Sequence, residues 1–416
     1  MNRIFYSAYV LYVVATVLQS TMFTEYTLLA RVFVIMRYIS FGVAGVKIAA
    51  DLYDQYRLEN KSKISLTGSA STKKFLGYFV LMTLLGVGSL VTDDSTLLFV
   101  SVLLIASQGM EFDDIARKTL WLQSILMGII VVSSSFNIIP DLLFKREDIP
   151  IRHALGYTYP SVMVTSCLFI FLLYLWFKNS SLSNQEFAAA EIFNFLVYKL
   201  TDSRMGFLTF GIIAAILWIV GKKQICGWLQ KAGSRVGDKM KKFGCNIYDY
   251  LVVYLSAGLF LLCITMPLPI TKLINNLLTD RIRLTANAIR NYGVHLFGNN
   301  IEWIGFGGST DTDSLLASYN FVDSSYGYIL VNFGILIFCI TIFLFVLCSK
   351  YIRRTEGKIR CFIFGIVLLY CFIEPRLLEV HVNTFLFLLV PALNEFINKN
   401  KNEKMRRRVR HRRKLG

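Results

Sequence analysis

Histidine, proline and acid are all scarce in this chain. Four His and seven Pro occur in 416 residues, and 27 Asp+Glu stand against 44 Lys+Arg. With so few imidazoles and no spaced Cys/His set, no zinc site is expected. None of the eight Cys (Cys167, Cys226, Cys245, Cys263, Cys339, Cys348, Cys361, Cys371) falls in an outer loop of the topology derived below. No external disulfide framework is therefore expected. The outer loops also lack the compact acidic cluster that a divalent ion wants, so neither metal nor other cofactor is expected. The halves of the chain show no convincing internal repeat, which weighs against a transporter built on paired broken helices. Arg3 and the apolar run behind it resemble a signal peptide. No small-residue cleavage site follows, however, and a second apolar run does, so a retained helix is expected.

What the chain has in quantity is apolar length. It is 55 % hydrophobic with a mean hydropathy of +0.53, and its apolar runs approach the roughly 20 residues needed to cross a bilayer as helix. The pattern predicts an all-α polytopic membrane protein of about twelve transmembrane helices. They fall near 4–20, 28–50, 75–91, 95–106, 119–139, 161–177, 190–200, 205–220, 250–270, 326–348, 361–373 and 384–397. One multi-span membrane domain is expected over 1–398, with a basic cytoplasmic tail at 399–416. Lys and Arg accumulate on the cytoplasmic side of a membrane. With both termini inside, about 31 of the 44 fall on inner segments and about 9 on outer ones, the others lying in or near spans. The inner clusters lie at 57–74, 222–242, 350–360 and 399–414. A basic stretch directly after a last span reads as a topology anchor and anionic-lipid contact, not as a nucleic-acid site.

The outer segments are 21–27, 92–94, 140–160, 201–204, 271–325 and 374–383. The interval 271–325 is a large extracytoplasmic loop carrying Arg281, Arg283, Arg290, His295, Asp311, Asp313 and Asp323. Irregular backbone of that length must lie outside the hydrocarbon or be buried in protein. Arg152, Arg204, Arg281, Arg283, Arg290 and Arg376 lie on this side against the charge bias. Guanidinium pairs bidentately with phosphate and keeps its charge, so a converging set suits a diphosphate. Taken one at a time, each can instead pair with a nearby acid, as Arg146 with Glu147 or Asp148, or Arg204 with Asp202. Arg37 lies midway along the second span, where an ionisable side chain usually faces the bundle interior or a polar cavity. Residues 285–292 show helical spacing, predicting a surface helix that starts near Asp280 with Arg283, Asn287 and Arg290 on one face. Gly298, Gly305, Gly307 and Gly308 with Trp303 and Phe306 form a Gly/aromatic stretch that matches no phosphate fingerprint.

Carboxylate and imidazole supply the other half of a mechanism. Glu374 precedes Pro375, which cannot continue a helix and so fixes the direction of the chain. Glu374 or His381 can accept a proton from a hydroxyl; Glu374 can equally cap a helix or pair with Arg376.

Taken in order, the outer motifs are Arg152-His153-Ala154-Leu155-Gly156-Tyr157-Thr158-Tyr159-Pro160-Ser161, then Thr201-Asp202-Ser203-Arg204-Met205-Gly206-Phe207-Leu208. Arg281-Ile282-Arg283, Tyr292-Gly293 and Leu296-Phe297-Gly298-Asn299-Asn300-Ile301-Glu302-Trp303-Ile304-Gly305 follow. Tyr319-Asn320-Phe321-Val322-Asp323-Ser324-Ser325-Tyr326, Asn332-Phe333-Gly334, Glu374-Pro375 and Asn383 complete the set. This ordered series resembles bacterial Wzy-type polysaccharide polymerases, the O-antigen and capsule or exopolysaccharide polymerase family. It covers about 140–390; the first 130 residues match only as hydrophobic helices. Family members commonly carry His-Pro-Asn or Asn-Pro-Asn where this chain has Tyr159-Pro160-Ser161, which argues against Tyr159 as a proton acceptor. Met205 replaces the Thr of the usual Ser-Arg-Thr and spares Arg204.

The resemblance implies transfer of a growing glycan from undecaprenyl diphosphate to a lipid-linked repeat unit at the outer face of the bacterial cytoplasmic membrane. It implies Arg152, Arg204 and Arg281 on diphosphate, with Arg283 and Arg290 as secondary contacts and Glu374 or His381 as base. His153, Tyr159, Asp323 and Tyr326 would shape the site or touch sugar. Implied partners are undecaprenyl-diphosphate-linked oligosaccharides, the lipid bilayer, and a chain-length regulator and flippase of the same pathway. The competing expectations are an O-antigen-type ligase, a lipid-linked oligosaccharide flippase and a noncatalytic scaffold.

Overall fold

A computed structural model describes residues 2–61, 70–146, 149–221, 247–307 and 318–399. The basic cluster at 222–242, the tail beyond Lys399, Cys226, Cys245, Glu147, Asp148, Gly308, Asp311, Asp313 and part of the 57–74 cluster lie outside the described residues. So does the suggested pairing of Arg146.

Helices dominate, as expected where the surroundings offer backbone groups no other partner. In chain order they are α1 (Asn2–Gln19), α2 (Thr27–Lys61), α3 (Ala70–Thr92), α4 (Thr96–Ala106) and α5 (Phe112–Ser135). After a hairpin come α6 (Pro160–Lys178), α7 (Asn184–Thr201), α8 (Arg204–Val220), α9 (Leu251–Ile264), α10 (Pro269–Leu277) and α11 (Arg281–Tyr292). A short turn of helix, α12 (Ser325–Tyr328), runs through a π turn (Ile329–Phe333) into α13 (Gly334–Thr355), and α14 (Lys358–Tyr370) follows. The chain is a helical membrane protein. Among the described residues, five stretches are long and apolar enough to span: Thr27–Arg57, Phe112–Ser135, Pro160–Lys178, Ile247–Ile264 and Ser325–Thr355. Seven of the twelve expected spans do not meet that length and composition. Those near 75–91, 95–106 and 205–220 form shorter apolar helices. The last is split between a tight turn (Thr384–Leu388) and a terminal helix.

The all-α expectation needs a further correction at 140–160. There β1 (Leu143–Arg146) pairs antiparallel with β2 (Ile149–His153), with Phe144 opposite Arg152 and an irregular register between Phe144 and Arg146. The hairpin gives this segment, expected to face outward, paired backbone where a loop would leave it open.

α6 forms the middle of the bundle, burying Leu168, Leu172, Leu173, Leu175 and Trp176. By contrast α2 exposes Val34, Ile35, Tyr38, Ile39 and Val46, the apolar surface of a helix that faces lipid. Contacts between loops fall at two poles. At the pole holding the N-terminus of α6, Met22 and Thr158 exchange backbone bonds with Gly156 and Ser20, Tyr26 donates to the Ile138 carbonyl, Arg152 reaches Thr201, and Arg281 reaches Ile373. These join the segments expected to face outward. At the other end of α6, Arg360 bridges Asp113 and Glu356, Lys178 meets Glu186, and Arg353 clamps Asp249 at 2.6 Å.

The 271–325 interval is largely folded. α10 presents Ile270, Leu273 and Leu277 on an exposed apolar face, as a helix lying in a membrane interface does. α11 begins one residue past Asp280, where the surface helix was expected. The loop after it is locked onto the π turn: the Asn299 amide donates to the Asn332 carbonyl at 3.0 Å and the Ile335 amide to the His295 carbonyl at 2.9 Å. Gly298 sits at φ +89, and a Cβ there would lie 2.0 Å from the Asn332 oxygen; at Gly334, φ +85, it would lie 2.3 Å from the Gly298 nitrogen. Only glycine tolerates both the approach and the conformation. Gly298→Ala is expected to cost about 2 kcal/mol, read as a lowered melting temperature of the detergent-solubilised protein. An unchanged midpoint would remove this interlock from the account.

Candidate active site

Arg281 stands at the start of α11, held by the turn before it. Thr279 and Asp280 both adopt left-handed backbone (φ +52 and +66). The Asn275 side chain staples that turn, donating to Asp280 Oδ1 at 2.7 Å and accepting from the Arg283 amide at 2.9 Å. The result points Arg281 inward, with its side chain 12 % exposed. Its Nε donates to the Ile373 carbonyl at 2.5 Å, its Nη1 to Thr279 Oγ1 and the Leu278 carbonyl, and its Nη2 meets Glu374 Oε1 at 3.2 Å.

Glu374 follows the C-terminus of α14, where Pro375 prevents another helical turn. Ser325 fixes the backbone around it, donating through Oγ to the Glu374 carbonyl at 2.6 Å and accepting from the Leu377 amide at 3.0 Å. The Glu374 side chain is 8 % exposed. Burial raises its carboxyl, only partly opposed by Arg281, to about 7. That is near the optimum for a group that takes up a proton at neutral pH. Burial works against the Arg281 charge, and the Glu374 and Asp323 carboxylates more than offset it, leaving its pKa raised. Asp323 is also raised by burial and accepts from the Tyr319 hydroxyl at 3.3 Å. Arg376 acts electrostatically on both acids but forks onto Glu379, through Nη1 at 2.8 and 2.7 Å. So Glu374 pairs with Arg281 across 93 residues, not with its sequence neighbour Arg376.

An aromatic wall joins this cluster to Arg152. Phe306 stacks on Tyr159 at 5.8 Å and on Tyr319 at 4.7 Å, and Phe144 packs edge-on against Tyr159 at 4.9 Å. Arg152, buried on β2, donates from Nη1 to the Tyr159 hydroxyl at 3.2 Å and from Nε to the Thr201 carbonyl at 2.9 Å. Thr201 ends α7, and the turn Asp202-Ser203 leads directly to Arg204. That guanidinium is 65 % exposed and 4.0 Å from Asp202, a loose contact that leaves it able to meet an anion. Arg152, Arg204 and Arg281 therefore share one pole, together with Tyr159, Asp323 and Glu374.

The remaining expected residues divide differently. Arg283 and Arg290 lie on the exposed face of α11, Arg283 paired with Asp280 at 3.0 Å. They turn away from Arg281 because residues two or nine apart on a helix project to nearly opposite sides. His153 closes its own loop, its Nδ1 2.6 Å from Asp141 Oδ2. Tyr326 is fully buried and donates to the Leu368 carbonyl at 2.8 Å, so it supports the site without reaching sugar. His381 lines an enclosed cavity of about 20 Å³ with Gln123 and Arg376, and burial lowers its pKa to about 4. Its imidazole is neutral at pH 7, but its Nε2 lies 3.5 Å from Glu379 Oε2, away from the Arg281–Glu374–Asp323 cluster, which leaves Glu374 as the better placed base. Tyr319, Phe306, Ser325 and Arg376 also belong to this pole; the sequence placed them on the outer side but gave them no role in the site, the motif runs containing Tyr319 and Ser325 and the outer position of Arg376 being the available signal. Among the described residues, no three His, Cys, Asp or Glu side chains form a metal-holding group.

No protein-family model, curated protein or solved structure matches this chain.

Proposed function

We propose that this chain is a polysaccharide polymerase of the outer face of the bacterial cytoplasmic membrane, with both termini cytoplasmic. It moves a growing glycan from undecaprenyl diphosphate onto a hydroxyl of a second lipid-linked repeat unit. The buried Arg281–Glu374 pair beside Asp323, on the same pole as Arg152 and Arg204, carries this reading. The acceptor oxygen bonds to the anomeric carbon as Glu374 takes its proton. The bond from that carbon to the phosphate oxygen breaks, and the lipid diphosphate leaves with the electron pair. Arg204 meets the leaving charge first, backed by Arg152 and Arg281, the electrostatic stabilisation that such a leaving group needs. Tyr159, Phe306 and Tyr319 supply flat apolar surface for a sugar ring. The flippase and chain-length regulator of the same pathway are the proposed partners.

Arg204→Lys keeps the charge but loses the fork, and transfer is expected to fall roughly tenfold. Arg283→Gln and Arg290→Gln, which change exposed side chains outside the cluster, are expected to leave transfer within about twofold. Both results are read as polymer length on a gel of cell-envelope glycan. A strain lacking the gene tests the reading itself. Loss of long polymer, with single repeat units still joined to their final acceptor, supports a polymerase. Polymer accumulating on the lipid carrier makes the chain a ligase, and single units trapped on the cytoplasmic leaflet make it a flippase.

A further inference from the structure

A second cavity, of about 490 Å³, opens at the α3–α4 corner beside the Gly/Trp loop. Asp93, Asp94, Asn300, Glu302, Trp303 and Asn332 line it, with Arg37 and Tyr328 on its wall. Its size is that of a small-ligand site. Asn332 is 1 % exposed, and its Oδ1 accepts from the Trp303 indole at 2.8 Å. Indole nitrogen only donates, so the carbonyl end of the Asn332 amide must face Trp303. Its Nδ2 is then turned elsewhere, buried, with no partner among the described residues. Leaving such a donor unmade costs about 1–3 kcal/mol. Arg37 contributes a second buried donor: Nη1 bonds Gln19 at 3.0 Å while Nε is unpaired among the described residues.

We infer that this cavity binds a neutral or amino hexose of the acceptor repeat unit. The inference rests on the polymerase reading for the word acceptor; the sugar class comes from the lining alone. Hexoses need donors and acceptors together with an apolar face. Asn332 and Arg37 donate, Asp93, Asp94 and Glu302 accept, and Trp303 with Tyr328 provides the flat surface, their rings 5.5 Å apart. Three carboxylates against one guanidinium repel a uronic acid or a phosphate. The same balance attracts a protonated amine. The cavity also adjoins the segment that carries Tyr319 and Asp323, because Phe321 packs against Trp303 at 6.0 Å and against Tyr328 at 5.8 Å.

Saturation-transfer NMR on the full chain in nanodiscs tests this, with four probes: methyl glucoside, methyl N-acetylglucosaminide, methyl glucosaminide and methyl glucuronide. The first three are expected to receive saturation and the glucuronide is not. Asn300→Ala and Glu302→Ala, both at exposed positions, are expected to weaken binding roughly tenfold. The triple change Asp93→Asn, Asp94→Asn, Glu302→Gln is expected to admit the glucuronide. Glu374→Gln protein, inactive in transfer, is expected to bind all three sugars as wild type does. Equal binding of glucuronide by wild type, or sugar binding unaffected by Asn300→Ala and Glu302→Ala, overturns the inference. Long polymer persisting in a strain lacking the gene would remove the polymerase reading while leaving these NMR outcomes to judge the sugar site.

Discussion

Glu374→Gln protein is expected to fold, reach the membrane and lose nearly all glycan transfer. Gln keeps the shape and an oxygen that can still accept from Arg281 Nη2 at the 3.2 Å contact, so the cluster remains filled. What disappears is the proton acceptor, and general-base removal costs about 10²- to 10⁴-fold. The pH profile of wild type carries the same information. Burial places the Glu374 carboxyl at about 7, and only the ionised form accepts a proton. Transfer therefore rises roughly tenfold per unit on the acid side and levels off above about 7. A rate in wild type that is flat between pH 5.5 and 8.5, or a Glu374→Gln protein with normal rate, assigns the proton to another group.

Arg281 gives the second large effect, and it reaches stability as well as transfer. Its guanidinium holds the Ile373 and Leu278 carbonyls, Thr279 and Glu374 together, and Lys cannot make those contacts from one point charge. Arg281→Ala leaves Glu374 buried without its cation, a loss of about 3–5 kcal/mol. Removing both partners is expected to be milder: the Arg281→Ala, Glu374→Ala double variant should melt above Arg281→Ala alone. Transfer by Arg281→Lys is expected to fall about 10²-fold or more, as when an oxyanion donor is removed. If the double variant melts below Arg281→Ala, the pair is not the coupled unit described.

The membrane class and the surface helix after Asp280 were readable because both depend on local pattern: apolar run length for one, helical spacing for the other. The number of spanning helices was not. Several apolar runs are half-length helices or broken segments such as Thr384–Leu388, and hydropathy does not distinguish a helix facing lipid from one buried in protein. The hairpin at 143–153 escaped notice because four- and five-residue strands carry little periodicity. At the site, Arg281 and Glu374 were both named, but their pairing was not, since it joins residues 93 apart. Arg283 and Arg290 were expected on one face of the surface helix and, through the family resemblance, as secondary contacts of Arg281's diphosphate. The same helical spacing sets them opposite Arg281, and the structure turns that face outward. The Asn332 amide nitrogen, without a partner among the described residues, follows from the Trp303 indole bond to its oxygen across 29 residues, which no short sequence window contains.

The most direct test reconstitutes the purified protein in liposomes with undecaprenyl-diphosphate-linked repeat units as the only substrate. The proposed reaction predicts glycan chains longer than one repeat, with one undecaprenyl diphosphate released per bond formed, and neither product from Glu374→Gln protein. Repeat units recovered unchanged in number, size and lipid attachment from an active-folded wild-type preparation would contradict it.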